Sequence, residues 1–324
     1  MVVKGFNYSL SPTYDFVFTN VLGRVCAAPV FMFCMGIGIV YSRHSQWDVM
    51  IKRGVKLYLS GILVNIFEFF LPGFVCGTLL GRWDIFPMAG GLLLFCVDIL
   101  AFAGLAFILM GILNRLELSN MQMAAIAVAM SLIGTISKGT DFNSDILNLF
   151  FANFIGSSGG FGAFPLFTWF IFPVAGYIWG QYFIRARDKN QFFKFWPIYI
   201  ITAFIYFYIT SMVLGSGVFS NDVHLYYFMN TIDAVFCIIF AHGIIGFCYD
   251  LSKSVPENII KASSILSRNI NNIYIAQWCL IPLGVIFLVY IFKDILFTDI
   301  ICAVYSIFML ILSAAVAVYY KKIR

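Results

Sequence analysis

The sequence predicts an all-α, polytopic integral membrane protein with about nine transmembrane helices. Three observations carry that expectation. Hydrophobic residues make up 62% of the 324-residue chain and charged residues only 11%, whereas a soluble domain carries roughly 25% charged residues. The apolar residues gather into repeated stretches long enough to cross a bilayer. Lysine and arginine fall in short clusters between those stretches, so the net charge of +5 does not describe a nucleic-acid-binding face.

A hydrocarbon core about 30 Å thick takes about 20 helical residues to cross. Stretches of that kind occur at residues 24–41, 55–71, 88–113, 121–137, 164–183, 193–215, 226–249, 273–292 and 300–320. The third is long enough to tilt, or to begin as a re-entrant piece at Gly90–Gly91. Residues 146–161 form a further apolar stretch that contains the glycine and serine run 156–160, and it reads as a half-span or an interfacial helix. No soluble domain, internal repeat or low-complexity tail interrupts the chain, which reads as one membrane domain over residues 1–324. The eight cysteines include no CxxC pair, so they read as small buried hydrophobes and not as metal ligands or a disulfide framework.

Alternate loops, together with the C-terminal tail, hold 15 of the 20 basic residues. Such an excess marks the cytoplasmic face. It places the C-terminus inside and the N-terminus outside, in a cell membrane. Residues 1–23 carry no signal peptide. Either this short tail crosses with the first span, or a helix that would precede it is missing, which would give ten spans.

The chain resembles the transmembrane acyltransferase superfamily that includes the heparan-α-glucosaminide N-acetyltransferases. The resemblance rests on an ordered set of segments: Gly23 to Gly36, with its Ala28-Pro29-Val30-Phe31-Met32-Phe33 core; Lys52 to Tyr58; Asp98-Ile99-Leu100 with Gly104-Leu105; Phe164 to Trp169 followed by Pro173 to Gly176; and Ser267-Arg268-Asn269 followed by Ile273 to Trp278. It implies transfer of an acyl group, acetyl by family habit, from cytoplasmic acetyl-CoA to a sugar or polysaccharide outside, with no metal. It also implies a catalytic histidine in or after a helix before the Ala28–Phe33 core. Residues 1–23 contain no histidine, so the resemblance equally admits a chain without activity. Two other readings stay open: a small-molecule transporter and a non-catalytic membrane remnant.

Candidate site residues follow from their setting. Lys52, Arg53 and Lys56 stand where a basic loop enters the membrane; they suit coenzyme A phosphates, or they only snorkel to the interface. Asp98 is an acid inside an apolar span, which is costly unless it faces a cavity or a partner. It would hold a substrate hydroxyl or orient a catalytic group, or else cap a helix broken after Gly90–Gly91. Glu68, three residues before the end of its span, together with Trp83 and Asp84 in the next loop, forms a candidate surface for the sugar acceptor. His242 is the one histidine inside a span and a candidate base. Asp233 lies nine residues away on roughly the opposite face, so the two do not form a dyad within the helix. Tyr274 and Gln277 share a helical face, either toward the acyl carrier or in polar helix–helix contact.

Overall fold

Long apolar runs satisfy their backbone groups internally by coiling, the only open-ended solution in a medium without water. The computed structural model describes residues 8–43, 45–84, 86, 92–157, 163–220, 222–293 and 295–323. Among the described residues seven helices are long and apolar enough to cross a membrane: α1 (Pro12–Tyr41), α2 (Trp47–Leu80), α4 (Asn120–Ser137), α7 (Lys189–Val213), α8 (Thr231–Ser252), α10 (Ile270–Phe292) and α11 (Asp299–Tyr319). Between them lie α3 (Ile99–Arg115), α5 (Asp145–Ile155), α6 (Ile171–Arg185) and α9 (Glu257–Arg268). The β pairing among the described residues is two residues deep, Tyr8–Ser9 alongside Phe297–Thr298. The expected all-α polytopic class therefore holds, with the third and fifth expected spans built as the shorter helices α3 and α6.

Two helices run well beyond their apolar stretches, and prolines explain how. Proline lacks an N–H, and its ring collides with the carbonyl four residues back. In α2 the residue four before Pro72 is Glu68. The helix widens there into a π segment, Ile66–Phe70, closed by Leu71 N–H to the Ile66 carbonyl, and then continues to Leu80. In α1 a π segment at Phe16–Ala27 precedes Pro29 in the same way. Glu68 is therefore not near the end of its span, as the sequence suggested. It lies well inside a 34-residue helix, 4% exposed. Residues 12–23, read from the sequence as tail, are already helical.

The third span differs more. A single helix over 88–113 is not what forms: Leu92–Phe95 is one 3₁₀ turn, Asp98 is extended (φ −87°, ψ 178°), and α3 begins at Ile99. The Gly90–Gly91 pair lies outside the described residues. An unwound backbone inside a bilayer needs partners from elsewhere in the protein, and they are present. Val97 N–H donates to Asn153 Oδ1 at 3.1 Å and the Val97 carbonyl accepts from Phe164 N–H at 3.2 Å. Asn65, 1% exposed, donates to the Leu94 carbonyl at 2.9 Å.

The chain groups into two compact units. One comprises Val17–Ile62 and Cys96–Leu251; the other comprises Met1–Phe16, Leu63–Phe95 and Ser252–Arg324. The core of the first is built on backbone-close helix crossings. Without a hydrophobic drive between helices in lipid, close packing of small residues supplies the attraction. A Cβ on Gly36 would overlap the Pro173 carbonyl, and one on Gly176 would overlap the Phe33 carbonyl, so α1 and α6 touch main chain to main chain. Gly54 and Gly104 serve α2 and α3 alike, a Cβ on Gly54 falling 2.6 Å from the Gly104 carbonyl. Around these crossings Phe33, Phe102, Trp169, Phe170, Phe172, Phe207 and Phe240 are essentially excluded from solvent. In the second unit α10 packs on α11, and the Tyr305 hydroxyl donates to the Ile281 carbonyl at 2.7 Å, one residue before the Pro282 interruption of α10.

Candidate functional site

The break before α3 sets the most unusual polar position in the larger unit. Asp98 occupies the N-cap of α3, but its side chain makes no capping bond to that helix. The helix cap offered by the sequence as the plain explanation of Asp98 is therefore not made, and the half-buried carboxylate is left to other partners. Its main chain still starts the helix, since the Asp98 carbonyl accepts from Phe102 N–H at 2.8 Å.

Close by is a residue whose importance the sequence hid. Arg24, in the π segment of α1, is 8% exposed. Its guanidinium donates to the carbonyls of Val218 at 2.9 Å and Ser220 at 2.5 Å and lies 6.0 Å from the centre of the Tyr226 ring. Arg24 and Asp98 are both within electrostatic reach of the Tyr226 phenol. A buried guanidinium is tolerated when its N–H groups find acceptors, and here Nη1 fastens the Val218–Ser220 segment to α1. Trp169, fully buried, donates to the Tyr227 carbonyl at 2.7 Å and packs edge-on against Tyr226 and Phe164. Asp98 thus lies within electrostatic reach of a ring, Tyr226, that is packed against Trp169 and stands beside the buried Arg24 cation. The available signal was an arginine eight residues beyond Phe16, where the apolar run begins, misread because the helix was taken to start at that residue.

His242 has a different setting. Its Nδ1 accepts from the Trp179 indole N–H at 2.6 Å, and the rings of Phe192, Phe193 and Tyr199 surround it, Tyr199 edge-on at 4.7 Å. An indole N–H only donates, so the Nδ1 lone pair is engaged and the ring proton resides on Nε2. That nitrogen is buried and has no hydrogen-bond partner among the described residues. A general base needs its lone pair aimed at the substrate; the lone pair of His242 is aimed at Trp179.

Asp233, 2% exposed, accepts from the Tyr206 hydroxyl at 2.8 Å and from Asn230 N–H at 3.2 Å, which makes it a cap for the start of α8. Lys138 joins the same corner through Asn230 Oδ1 at 2.6 Å. We expect Asp233→Ala to cost about 1–3 kcal/mol, the penalty of stranding buried partners, seen as a lower melting temperature.

Lys52, Arg53 and Lys56 are all exposed on the first turns of α2. Lys52 reaches Asp48 at 3.7 Å, a solvated pair of little strength. The Arg53 guanidinium lies over the Phe107 ring of α3, 4.7 Å from its centre, a cation–π contact that helps hold it in place. Positions 52, 53 and 56 fall within about 100° of one another around a helix, so the three cations form a single basic edge. The same side of the α2–α3 pair carries Arg115 stacked on Trp47 at 4.6 Å.

In the smaller unit, Trp83 closes an aromatic cluster with Phe74 and Phe86, the ring pairs at 5.8 Å. Asp84 receives both arms of Arg82, each at 2.9 Å, and that hydrogen-bonded fork holds its carboxyl below the usual carboxylate range. A sugar hydroxyl would have to share Asp84 with Arg82. Glu68 lies on α2 in its π segment, buried and away from solvent. Tyr274 and Gln277 lie half-buried on α10, Tyr274 edge-on to Trp278.

The family model described as heparan-alpha-glucosaminide N-acetyltransferase, catalytic, matches residues 3–209. No curated protein and no solved structure gives a significant match.

Proposed function

We propose, on the premise that the chain belongs to the heparan-alpha-glucosaminide N-acetyltransferase family by its match over residues 3–209, that this membrane protein moves an acetyl group from cytoplasmic acetyl-CoA to a sugar or polysaccharide on the far side of a cell membrane. The family match carries the reading. It runs from before α1 to residue 209 within α7, and so includes Arg24, the basic edge of α2 and the broken backbone at Asp98.

In this reading Lys52, Arg53 and Lys56 hold the phosphates of acetyl-CoA by charge-assisted bonds, with Arg53 kept in place by Phe107. Asp98 holds the attacking hydroxyl or amine of the acceptor and accepts its proton. The new bond forms to the acetyl carbon as the carbon–sulfur bond breaks, and the coenzyme A thiolate that leaves takes up the proton that Asp98 gives back through solvent. Arg24, anchored on the Val218 and Ser220 carbonyls, keeps the loop over this site in place and supplies positive charge near the developing oxyanion. Glu68, Trp83 and Asp84 are proposed for the acceptor, and Tyr274 and Gln277 for the acyl carrier. The lysine and arginine asymmetry supports a cytoplasmic C-terminus.

The test is release of free thiol from acetyl-CoA by purified protein in nanodiscs, with glucosamine as acceptor and mass detection of the acetylated sugar. Glucosamine-dependent thiol release is expected. Arg53→Ala should raise the KM for acetyl-CoA several-fold with kcat nearly unchanged, because it touches the donor away from the reacting atoms. The unwound backbone at 96–98 favours a second reading, a transporter, since carriers place broken helices at their substrate sites. Uptake of a sugar into proteoliposomes without acetyl-CoA consumption would select it.

A further inference from the structure

Helix α9 is short, amphipathic and covered by nothing within the described chain. None of its twelve residues is buried, and Ile259, Ile260, Ile265 and Leu266 are 51%, 43%, 49% and 44% exposed. On a helix, Ile259, Ala262 and Leu266 line one face at spacings of three and four, with Ile260 and Ile265 at the borders of the polar face. Glu257, Lys261, Ser264 and Arg268 share the opposite face. That polar face is internally tied, with Lys261 to Glu257 at 2.9 Å and Arg268 to the Ser264 hydroxyl at 3.0 Å.

Topology says where this helix must be. It joins α8, ending at Ser252, to α10, starting at Ile270, and both neighbours are long and apolar enough to cross a membrane. One residue, Asn269, separates α9 from α10, and the Asn269 amide donates to the Ile265 carbonyl at 2.8 Å across that joint. Four residues separate α9 from α8, a reach of about 14 Å at most. Twelve helical residues extend about 18 Å. A helix tethered at both ends to membrane boundaries stays at the surface of the bilayer. Lysine and arginine also outnumber acid here, with Lys253, Lys261 and Arg268 against Glu257.

We propose that α9 lies flat in the bilayer surface as a recognition element for anionic phospholipid, with Ile259, Ala262 and Leu266 sunk into the acyl boundary and Lys253, Lys261 and Arg268 on the headgroup phosphates. The pattern of an apolar face, a basic polar face and low overall hydrophobicity is that of an interfacial helix, and each cation near an anionic surface adds attraction that salt screens.

The experiment is hydrogen exchange of the peptides covering residues 257–268 in the full chain, in nanodiscs of phosphatidylcholine alone or mixed with phosphatidylglycerol. Exchange is expected to be at least threefold slower with phosphatidylglycerol. Lys261→Glu with Arg268→Glu should remove the difference between the two lipids, and Leu266→Ser should speed exchange in both while other helices keep their protection. Fast exchange in both lipids would overturn the proposal, because the helix would then not be seated on the membrane. Protection indifferent to lipid charge and to the two glutamate substitutions would also overturn it, pointing instead to cover by protein.

Discussion

Asp98→Asn is expected to lower acetyl transfer by about 10²–10⁴-fold, the range associated with losing a positioned proton acceptor, while leaving acetyl-CoA binding and melting temperature close to those of the parent. The expectation of an intact fold has a structural basis. The unwound backbone at residues 96–98 is held at Val97 by the Asn153 side chain and the Phe164 main chain, and the Asp98 carboxylate makes no capping bond to α3. An amide of the same shape therefore removes proton-accepting capacity without removing a helix cap. Rates of thiol release and product formation, measured alongside thermal unfolding, separate the two roles. A large fall in melting temperature with the residual rate per folded molecule unchanged would mean that Asp98 serves the architecture alone.

Gly176→Val is expected to abolish accumulation of folded protein. The α1–α6 crossing brings the Gly176 backbone against the Phe33 carbonyl and the Gly36 backbone against the Pro173 carbonyl. The neighbours are main chain, which has no rotamer to move aside, so the helices must separate and lose their packing along the interface. Overpacking in a dense interior costs about 1–3 kcal/mol even where side chains yield; a backbone collision belongs among the exceptional losses above about 4–5 kcal/mol. Gly38, two residues from Gly36, has open space where its Cβ would be, and Gly38→Ala is expected to be neutral or slightly stabilising by the helix propensity of alanine. Detergent-solubilised yield and size-exclusion behaviour of the two variants check the contrast. Equal yields would show that the crossing is looser than described.

The membrane class was legible in composition, because a soluble fold has no place for this much apolar side chain. So were the approximate positions of seven crossing helices, whose hydropathy continues over enough residues to need no other information. What the sequence did not reveal depends on hydrogen bonds made at long range. Nothing local marks residues 96–98 as unwound, since Cys96 and Val97 are as apolar as their neighbours. The groups that satisfy Val97 come from Asn153 and Phe164, more than 50 residues on. Hydropathy also hid the depth of Glu68, because Pro72 looks like a helix end when the helix instead absorbs it with a π segment. Arg24 was missed for a related reason: a window that starts an apolar span at its first charge places that charge at the membrane edge, where it needs no explanation. The basic edge of α2 was visible in the sequence, but its order was not, since the ring that supports Arg53 belongs to α3.

The most direct test of the proposed activity does not depend on knowing the acceptor. It is calorimetric titration of acetyl-CoA into the purified full chain in nanodiscs, repeated with Arg53→Ala. The acyltransferase account expects saturable binding, competed by coenzyme A and weakened at least fivefold by Arg53→Ala, with affinity falling as salt is raised. No binding by protein that is folded and monodisperse would contradict it, and so would binding that Arg53→Ala leaves unchanged, because the basic edge of α2 would then not be the donor site.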